Sequence, residues 1–159
     1  IFDLVVAIEI GMILACLLLL RRMSEESEVK SWKYIEDEND PDSIMLRKVP
    51  KHVRVYEISG PMFFGAADRI ATISVKDFTR CLVIRMRAVN ALDATAMHSL
   101  EELYDKLSKK HIAVVFSHVN EQPMHVMQKA GFVEKVGSEN FCAHIDEALE
   151  RAAGFDSND

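Results

Sequence analysis

The sequence is poor in the residues that mark most catalytic and metal-binding sites. Its three cysteines, Cys16, Cys81 and Cys142, are odd in number and form no CxxC pair, which favours reduced thiols in a cytosolic domain over a disulfide framework. No cysteine–histidine cluster has the spacing of a zinc site. No serine lies in a GxSxG motif, and no cysteine has a histidine in a recognisable nucleophile arrangement. The sequence therefore predicts no catalytic residue, no metal site, no cofactor and a protein that is not an enzyme.

Excess charge is confined to one segment. The formal net charge is −6, and residues 24–46 hold eight acids against two lysines, so the other residues balance. The sequence therefore predicts no basic surface and no nucleic-acid partner. The run EDENDPDS at residues 36–43 is polar and free of aliphatic residues, which is typical of a linker or a solvated surface segment. We interpret residues 24–46 as an acidic linker.

Long apolar runs are also absent, with one exception at the start of the chain. Residues 1–20, IFDLVVAIEIGMILACLLLL, contain two acids and no basic residue, and a helix of about twenty residues is about 30 Å long, the thickness of a bilayer core. Arg21 and Arg22 follow, and basic residues beside a span mark its cytoplasmic side. A signal peptide is disfavoured because the positive charges follow the run and no cleavage site is present. We expect residues 1–23 to be the C-terminal part of the last transmembrane helix of a multi-pass protein in the cell (inner) membrane. The alternative is a core helix of a soluble protein.

The remaining residues, 47–159, predict a cytoplasmic domain in which strands and helices alternate. Apolar alternation or continuous apolar runs predict the strands, and apolar residues at spacings of three and four predict the helices. We predict an α/β fold with a mixed sheet flanked by helices, preceded by the apolar helix. The predicted strands are 53–59, 80–89 and 111–119, the helices are 66–78, 94–109, 121–130 and 143–154, and 131–137 is a short edge strand or turn.

The stretch GPMFFGAAD, residues 60–68, has glycines at the interval of a phosphate-binding P-loop. Ala66 and Ala67 stand where that motif needs lysine and serine or threonine, so no side chain remains to hold phosphates or magnesium. Backbone amides at the start of the next helix still attract anions. The stretch therefore predicts at most a weak anion or nucleotide contact at Gly60, Pro61 and Gly65. The alternative is a partly buried turn.

Three stretches together resemble a STAS domain: ISGPMFFGAAD, LVIRMRAVNALDATAMHSLEEL and HIAVVFSHVNEQPMHVMQKAGF. STAS domains are shared by sulfate-permease-type (SulP) anion transporters and bacterial anti-sigma-factor antagonists. The opening DLVVAIEIGMILACLLLLRRMSE resembles the last membrane segment of the transporters, which the antagonists lack. The resemblance implies the regulatory or interaction domain of a secondary transporter of sulfate, bicarbonate or carboxylate, with the transported anion bound outside this chain. It also implies three partners: its own transmembrane domain, a second copy in a homodimer and a cytosolic regulatory protein.

The stretch DATA, residues 93–96, corresponds to the phosphorylated loop of the antagonists. In that branch the serine directly after the aspartate accepts the phosphate, whereas here Ala94 follows Asp93 and Thr95 comes one residue later. Asp93 is also suited to cap the next helix by accepting from the amide of residue 95 or 96. We expect Asp93, Ala94, Thr95 and His98 to form a regulatory or partner-docking loop. The alternative for this loop is a purely structural helix cap. For the chain as a whole, the alternatives to a transporter domain are a membrane-tethered signalling module like the antagonists, or a nucleotide-binding regulatory domain.

Overall fold

A computed structural model describes residues 2–25, 28–31, 43–63 and 66–155 of the chain. Its strands form one mixed sheet in the order β1-β2-β3-β4-β5. The strands are β1 Glu28–Ser31, β2 Val53–Ser59, β3 Cys81–Ala88, β4 Ala113–Ser117 and β5 Phe141–Cys142. The α-helices are α1 Phe2–Glu25, α2 Ala66–Ala71, α3 Ala94–Ser108, α4 Glu121–Lys129, α5 Phe132–Val136 and α6 Ile145–Ala153, with 3-10 turns at Ile44–Leu46 and Ser138–Asn140.

The sheet has two edges at which the strands begin and end. Strand β1 is antiparallel to β2, whereas β2, β3, β4 and β5 are parallel to one another. The register aligns Val53 with Cys81 and Cys81 with Ala113, and we call this end of the sheet the amino edge. Ser59 is aligned with Ala88 at the opposite end, which we call the carboxyl edge.

Each face of the sheet carries its own hydrophobic core. On one face, alternate residues of β3, among them Leu82 and Ile84, pack beneath α3, α4 and α5. On the other face, Val83 and its neighbours pack beneath α6. The two-residue period of a strand explains this division, because successive side chains point to opposite faces. The three-layer arrangement fixes the position of every loop at the carboxyl edge.

Helix α1 lies outside both cores. The segment Asp3–Arg22 is long and apolar enough to cross a membrane, and none of it is buried in the domain. Helix α1 ends at Glu25, three residues before Glu28, which is paired with Ser59 at the carboxyl edge. Arg69 of α2 donates from Nη2 to the main-chain oxygen of Glu25 at 3.4 Å. The apolar helix therefore joins the domain at its carboxyl edge.

The structure confirms most of the predicted elements and corrects two. The predicted strand or turn at 131–137 is wrong, because α5 occupies this stretch and buries Phe132 and Val136, four residues apart, on one helical face. The helix predicted over 66–78 ends at Ala71. In addition, β1 lies inside the segment 24–46 that the sequence identifies as an acidic linker.

Candidate docking site at the carboxyl edge

Asp93 caps the N-terminus of α3. Its backbone is extended, with φ −95° and ψ 174°, and its Oδ1 accepts from the amide of Ala96 at 2.7 Å. The side chain thus satisfies one of the amides that the first turn of a helix leaves without a partner. The predicted helix cap is confirmed.

The loop that ends at Asp93 is paired along its backbone with the turn that follows β2. The amide of Gly60 donates to the oxygen of Ala88 at 3.1 Å, and the amide of Met62 donates to Ala91 at 2.8 Å. The amide of Asp93 donates back to Met62 at 3.0 Å. The structure therefore places the two stretches singled out by the sequence, around Gly60 and around Asp93, side by side.

The same pairing bears on the predicted weak anion contact. Gly60 has φ +86°, a conformation that favours glycine, and its amide is used by Ala88. Pro61 has no amide hydrogen, and Gly65 lies outside the described residues. An anion near this turn would therefore need donors other than the amides of residues 60 and 62.

Two amide side chains from the start of α4 hold the loop from its other side. Asn120 donates from Nδ2 to the oxygens of Arg87 at 3.0 Å and Val89 at 2.7 Å. Gln122 accepts from the amide of Leu92 at 2.9 Å and donates to its oxygen at 3.3 Å. Neither Asn120 nor Gln122 stands out in the sequence, because a polar amide at the start of a helix has no distinguishing local pattern. Together they make the loop a rigid platform.

The side chains predicted to form the docking loop differ in exposure. Ala94 and His98 are exposed on the first turns of α3, whereas Asp93 and Thr95 are half-buried. His98 lies 3.5 Å from Glu102 through Nε2, one helical turn further on. Ala94 and His98 are thus the members of the predicted set that present most surface to a partner.

An open cleft of about 780 Å³ adjoins the loop. Asn90, Asn120, Gln122, His125 and Gln128 contribute to its lining. Side-chain amides offer both donors and acceptors, and Gln122 already uses both on the backbone of Leu92. Glu121 and Met124 complete the lining, so the cleft extends the docking loop with a mixed surface of amide, charged and apolar groups.

A buried ion-pair cluster supports the same edge from the α6 face of the sheet. Arg85 is fully buried and Glu57 is 8% exposed. Glu57 accepts from Arg85 Nη1 at 3.4 Å and from Arg87 Nε at 2.8 Å. The alternation of β3 places both arginines on the face opposite Leu82, and α6 covers that face. The cluster joins the ends of β2 and β3, where the loops of the site begin.

Comparison with known proteins identifies a matching domain family and several similar proteins. The sequence profile described as "STAS domain" matches residues 44–148. The putative sulfate transporter YvdB of Bacillus subtilis is 26% identical over 149 residues, which is 92% of this chain and 27% of YvdB. The crystal structure of a sulfate transporter family protein from Wolinella succinogenes is 35% identical, with a TM-score of 0.69, over 76% of this chain and all of that one. The chain therefore spans about a quarter of the length of YvdB.

Two more distant structures share the fold alone. The murine anion transporter Slc26a9 in the inward-facing state is 13% identical with a TM-score of 0.68, over 92% of this chain and 25% of that one. An anti-sigma factor antagonist from Mycobacterium paratuberculosis is 18% identical with a TM-score of 0.56, over 79% of this chain and 95% of that one. Both transporter and antagonist branches thus carry this arrangement of sheet and helices. The match over residues 44–148, the mixed five-stranded sheet and the likeness to the Wolinella succinogenes protein show that this chain belongs to the STAS domain family, with sulfate transporters among its relatives.

Proposed function

We propose that this chain is the cytoplasmic regulatory and interaction domain of a SulP-type secondary anion transporter, together with the end of its last transmembrane helix. The observation that carries the proposal is the direct connection of α1 to the sheet. Only two residues separate α1 from β1, which pairs with β2 in the core of the domain. A helix of membrane length joined this closely to the domain fits an integral part of a membrane protein.

The relationship to YvdB supports the same reading. An alignment that covers 92% of this chain includes part of α1 as well as the domain. In the proposed arrangement the parent protein binds sulfate, bicarbonate or a carboxylate in its membrane region. The domain described here then contacts that region, a second copy of itself or a cytosolic regulator, and it performs no catalytic step.

The docking loop is the surface we propose for these contacts. Ala94 occupies the exposed first position of α3, where the antagonist branch carries its phosphorylated serine, so a phosphate switch of that type has no hydroxyl to act on. Thr95 is half-buried at the next position. This arrangement favours a permanent protein contact at the loop over a membrane-tethered signalling module.

Anion uptake into proteoliposomes tests the proposal. The full-length parent is compared with a version truncated after Met23, using labelled sulfate, bicarbonate and a dicarboxylate. We expect the parent to take up one of these anions and the truncated protein to take it up more slowly. Absence of uptake of all three by a well-folded parent would contradict the transporter assignment.

A matched pair of surface variants tests the loop separately. Ala94→Arg places a bulky cation on the docking loop, and Ala153→Arg places the same side chain on the exposed end of α6. We expect Ala94→Arg to lower the uptake rate of the parent while Ala153→Arg leaves it unchanged. Equal rates for both variants and the parent would remove the loop from the proposal without affecting the transport assignment.

A further inference from the structure

The amino edge of the sheet concentrates positive charge. Loops that precede three parallel strands converge there, since the amide of Arg80 donates to the oxygen of His52 at 2.8 Å and the amide of Ala113 donates to Arg80 at 2.9 Å. We call the basic residues on and beside this convergence the basic edge. They are Lys51, Arg54, Lys76, Arg80, Lys109 and Lys110.

This surface differs from what the sequence predicts. The charges outside residues 24–46 cancel, which predicts no basic surface, yet the fold brings five cations from the segments before three strands, and Arg54 from β2, to one side. Asp77 is the acid within the same loops. A net charge averaged along the chain does not describe a surface that three distant segments build together.

The basic edge makes no ion pair within the described part of the chain. The ion pairs there use other cations, such as Arg47, Arg85 and Lys135. Five of the six basic-edge side chains are exposed, and Arg54 is half-buried. Like charges gathered on one surface repel one another, although Lys109 and Lys110 are also favoured by the C-terminal end of α3. The cluster is therefore better explained by an external anion than by folding.

An exposed aromatic ring lies among these charges. Phe78 is 52% exposed, with the guanidinium carbon of Arg54 5.2 Å and the Nζ of Lys76 5.9 Å from its ring centroid. A large apolar group beside unpaired cations resembles the anchor residues of protein interfaces, where aromatic side chains and arginine are enriched. The surface thus offers both charge and an apolar contact.

The position of the basic edge argues against an anionic membrane as its partner. If α1 spans a membrane, as the proposed function holds, the domain joins that membrane at the carboxyl edge beside Ser59. The length of β2 from Ser59 to Val53 places the amino edge about 20 Å away. This distance exceeds the Debye length of about 8 Å at physiological salt, so attraction to lipid headgroups is largely screened.

We propose that the basic edge docks an acidic segment of a cytosolic partner protein, with an apolar side chain of that segment packed on Phe78. This surface is distinct from the docking loop, which lies at the opposite edge of the sheet. The carboxylates of the partner pair with Lys51, Arg80 and Lys110, and the salt dependence of binding follows from these exposed pairs.

The test measures binding of a fluorescein-labelled peptide of repeating Glu-Glu-Leu to the full chain in phosphatidylcholine nanodiscs. The double variant Arg80→Gln/Lys110→Gln removes two charges from the basic edge. The double variant Lys30→Gln/Lys129→Gln makes the same change in net charge on exposed lysines outside both the basic edge and the docking cleft, and it serves as the matched control. We expect the first to weaken binding about tenfold, since it removes two exposed charge pairs, and the second to change it little.

Several outcomes would overturn the proposal. Absence of peptide binding to the unmodified chain would do so, as would equal weakening by both double variants, which would indicate a net-charge effect. The binding of phosphatidylserine vesicles and of an oligonucleotide is measured in the same way. If Arg80→Gln/Lys110→Gln weakens either of these more than it weakens peptide binding, the surface is assigned to a lipid or a nucleic acid instead. If Glu36→Gln/Asp40→Asn strengthens peptide binding, the acidic segment of this chain competes with the peptide. The basic edge would then be assigned to that segment.

Discussion

Removing the counter-charge of a buried arginine should severely destabilise this domain. Arg85 is fully buried, and the Glu57 carboxylate lies 3.4 Å from its Nη1. Glu57→Gln keeps the shape of the side chain but removes the carboxylate that the buried Arg85 contacts, while the weaker electrostatic influence of Asp146 remains. Breaking a buried pair by removing one partner costs about 3–5 kcal/mol. Against a total stability of about 5–15 kcal/mol for an ordinary domain, this is a large fraction of the free energy of unfolding.

Urea unfolding of a fragment that begins at Glu28, and so retains β1, measures this loss. Glu28→Gln is the matched control, because the same substitution removes the acid of an exposed ion pair with Lys30. We expect no measurable change in the free energy of unfolding for this variant. Glu57→Gln/Arg85→Met should be more stable than Glu57→Gln alone, since it removes the buried charge as well. A loss below about 1 kcal/mol for Glu57→Gln, or no recovery in the double variant, would refute this account of the cluster.

Three further predictions concern the helix cap, a surface ion pair and a thiol. Asp93→Ala should lower the free energy of unfolding by about 1 kcal/mol and Asp93→Asn by less, measured by thermal unfolding; equal losses would contradict the cap. Arg47 donates to Asp146 and lowers the pKa of that carboxyl. The pair therefore stabilises the fold fully above about pH 4, the ordinary carboxyl value. This contribution is lost as the pH falls through the lowered pKa. The difference in stability between the unmodified chain and Asp146→Asn is about 1 kcal/mol at most, because the carboxylate of the pair is exposed. This difference should vanish in acid, and a difference that grew in acid would contradict the prediction. Burial raises the pKa of the Cys81 thiol to about 12, so iodoacetamide at about pH 8 should spare Cys81 in the folded fragment that begins at Glu28 and modify it once urea is added. Labelling of Cys81 at the same rate with and without urea would refute this.

Local patterns predict the elements whose signal lies within the element itself. The alternation in Val53–Ser59 predicts β2 because its period is set by the strand. Asp93 predicts the start of α3 because a cap involves residues only three positions apart. Helix α5 escapes prediction because five residues of mixed polarity are compatible with several structures, and only the packing of Phe132 into the core selects a helix.

Features built from distant segments are the ones that the sequence does not reveal. The period of β3 predicts the face on which Arg85 lies, but α6, some sixty residues later, determines that this face is buried. The clamp of Gln122 on Leu92 likewise joins two loops thirty residues apart. The basic edge combines three such loops. In each case the contact depends on the order of strands in the sheet, which local periodicity does not specify.

The two edges of the sheet suit partners of different chemistry. The docking loop lies at the carboxyl edge, where α1 ends and where amides such as that of Gln122 line the adjoining cleft. A partner at this edge would be held by hydrogen bonds and shape complementarity. It would also lie close to the proposed membrane region. The basic edge lies about 20 Å away along β2 and attracts carboxylates through exposed charge. Because that distance exceeds the Debye length at physiological salt, a ligand at one edge has little direct electrostatic effect at the other. High salt should therefore release an acidic partner from the basic edge while leaving contacts at Asp93 largely in place, and a common salt dependence at both edges would mean that they form one surface.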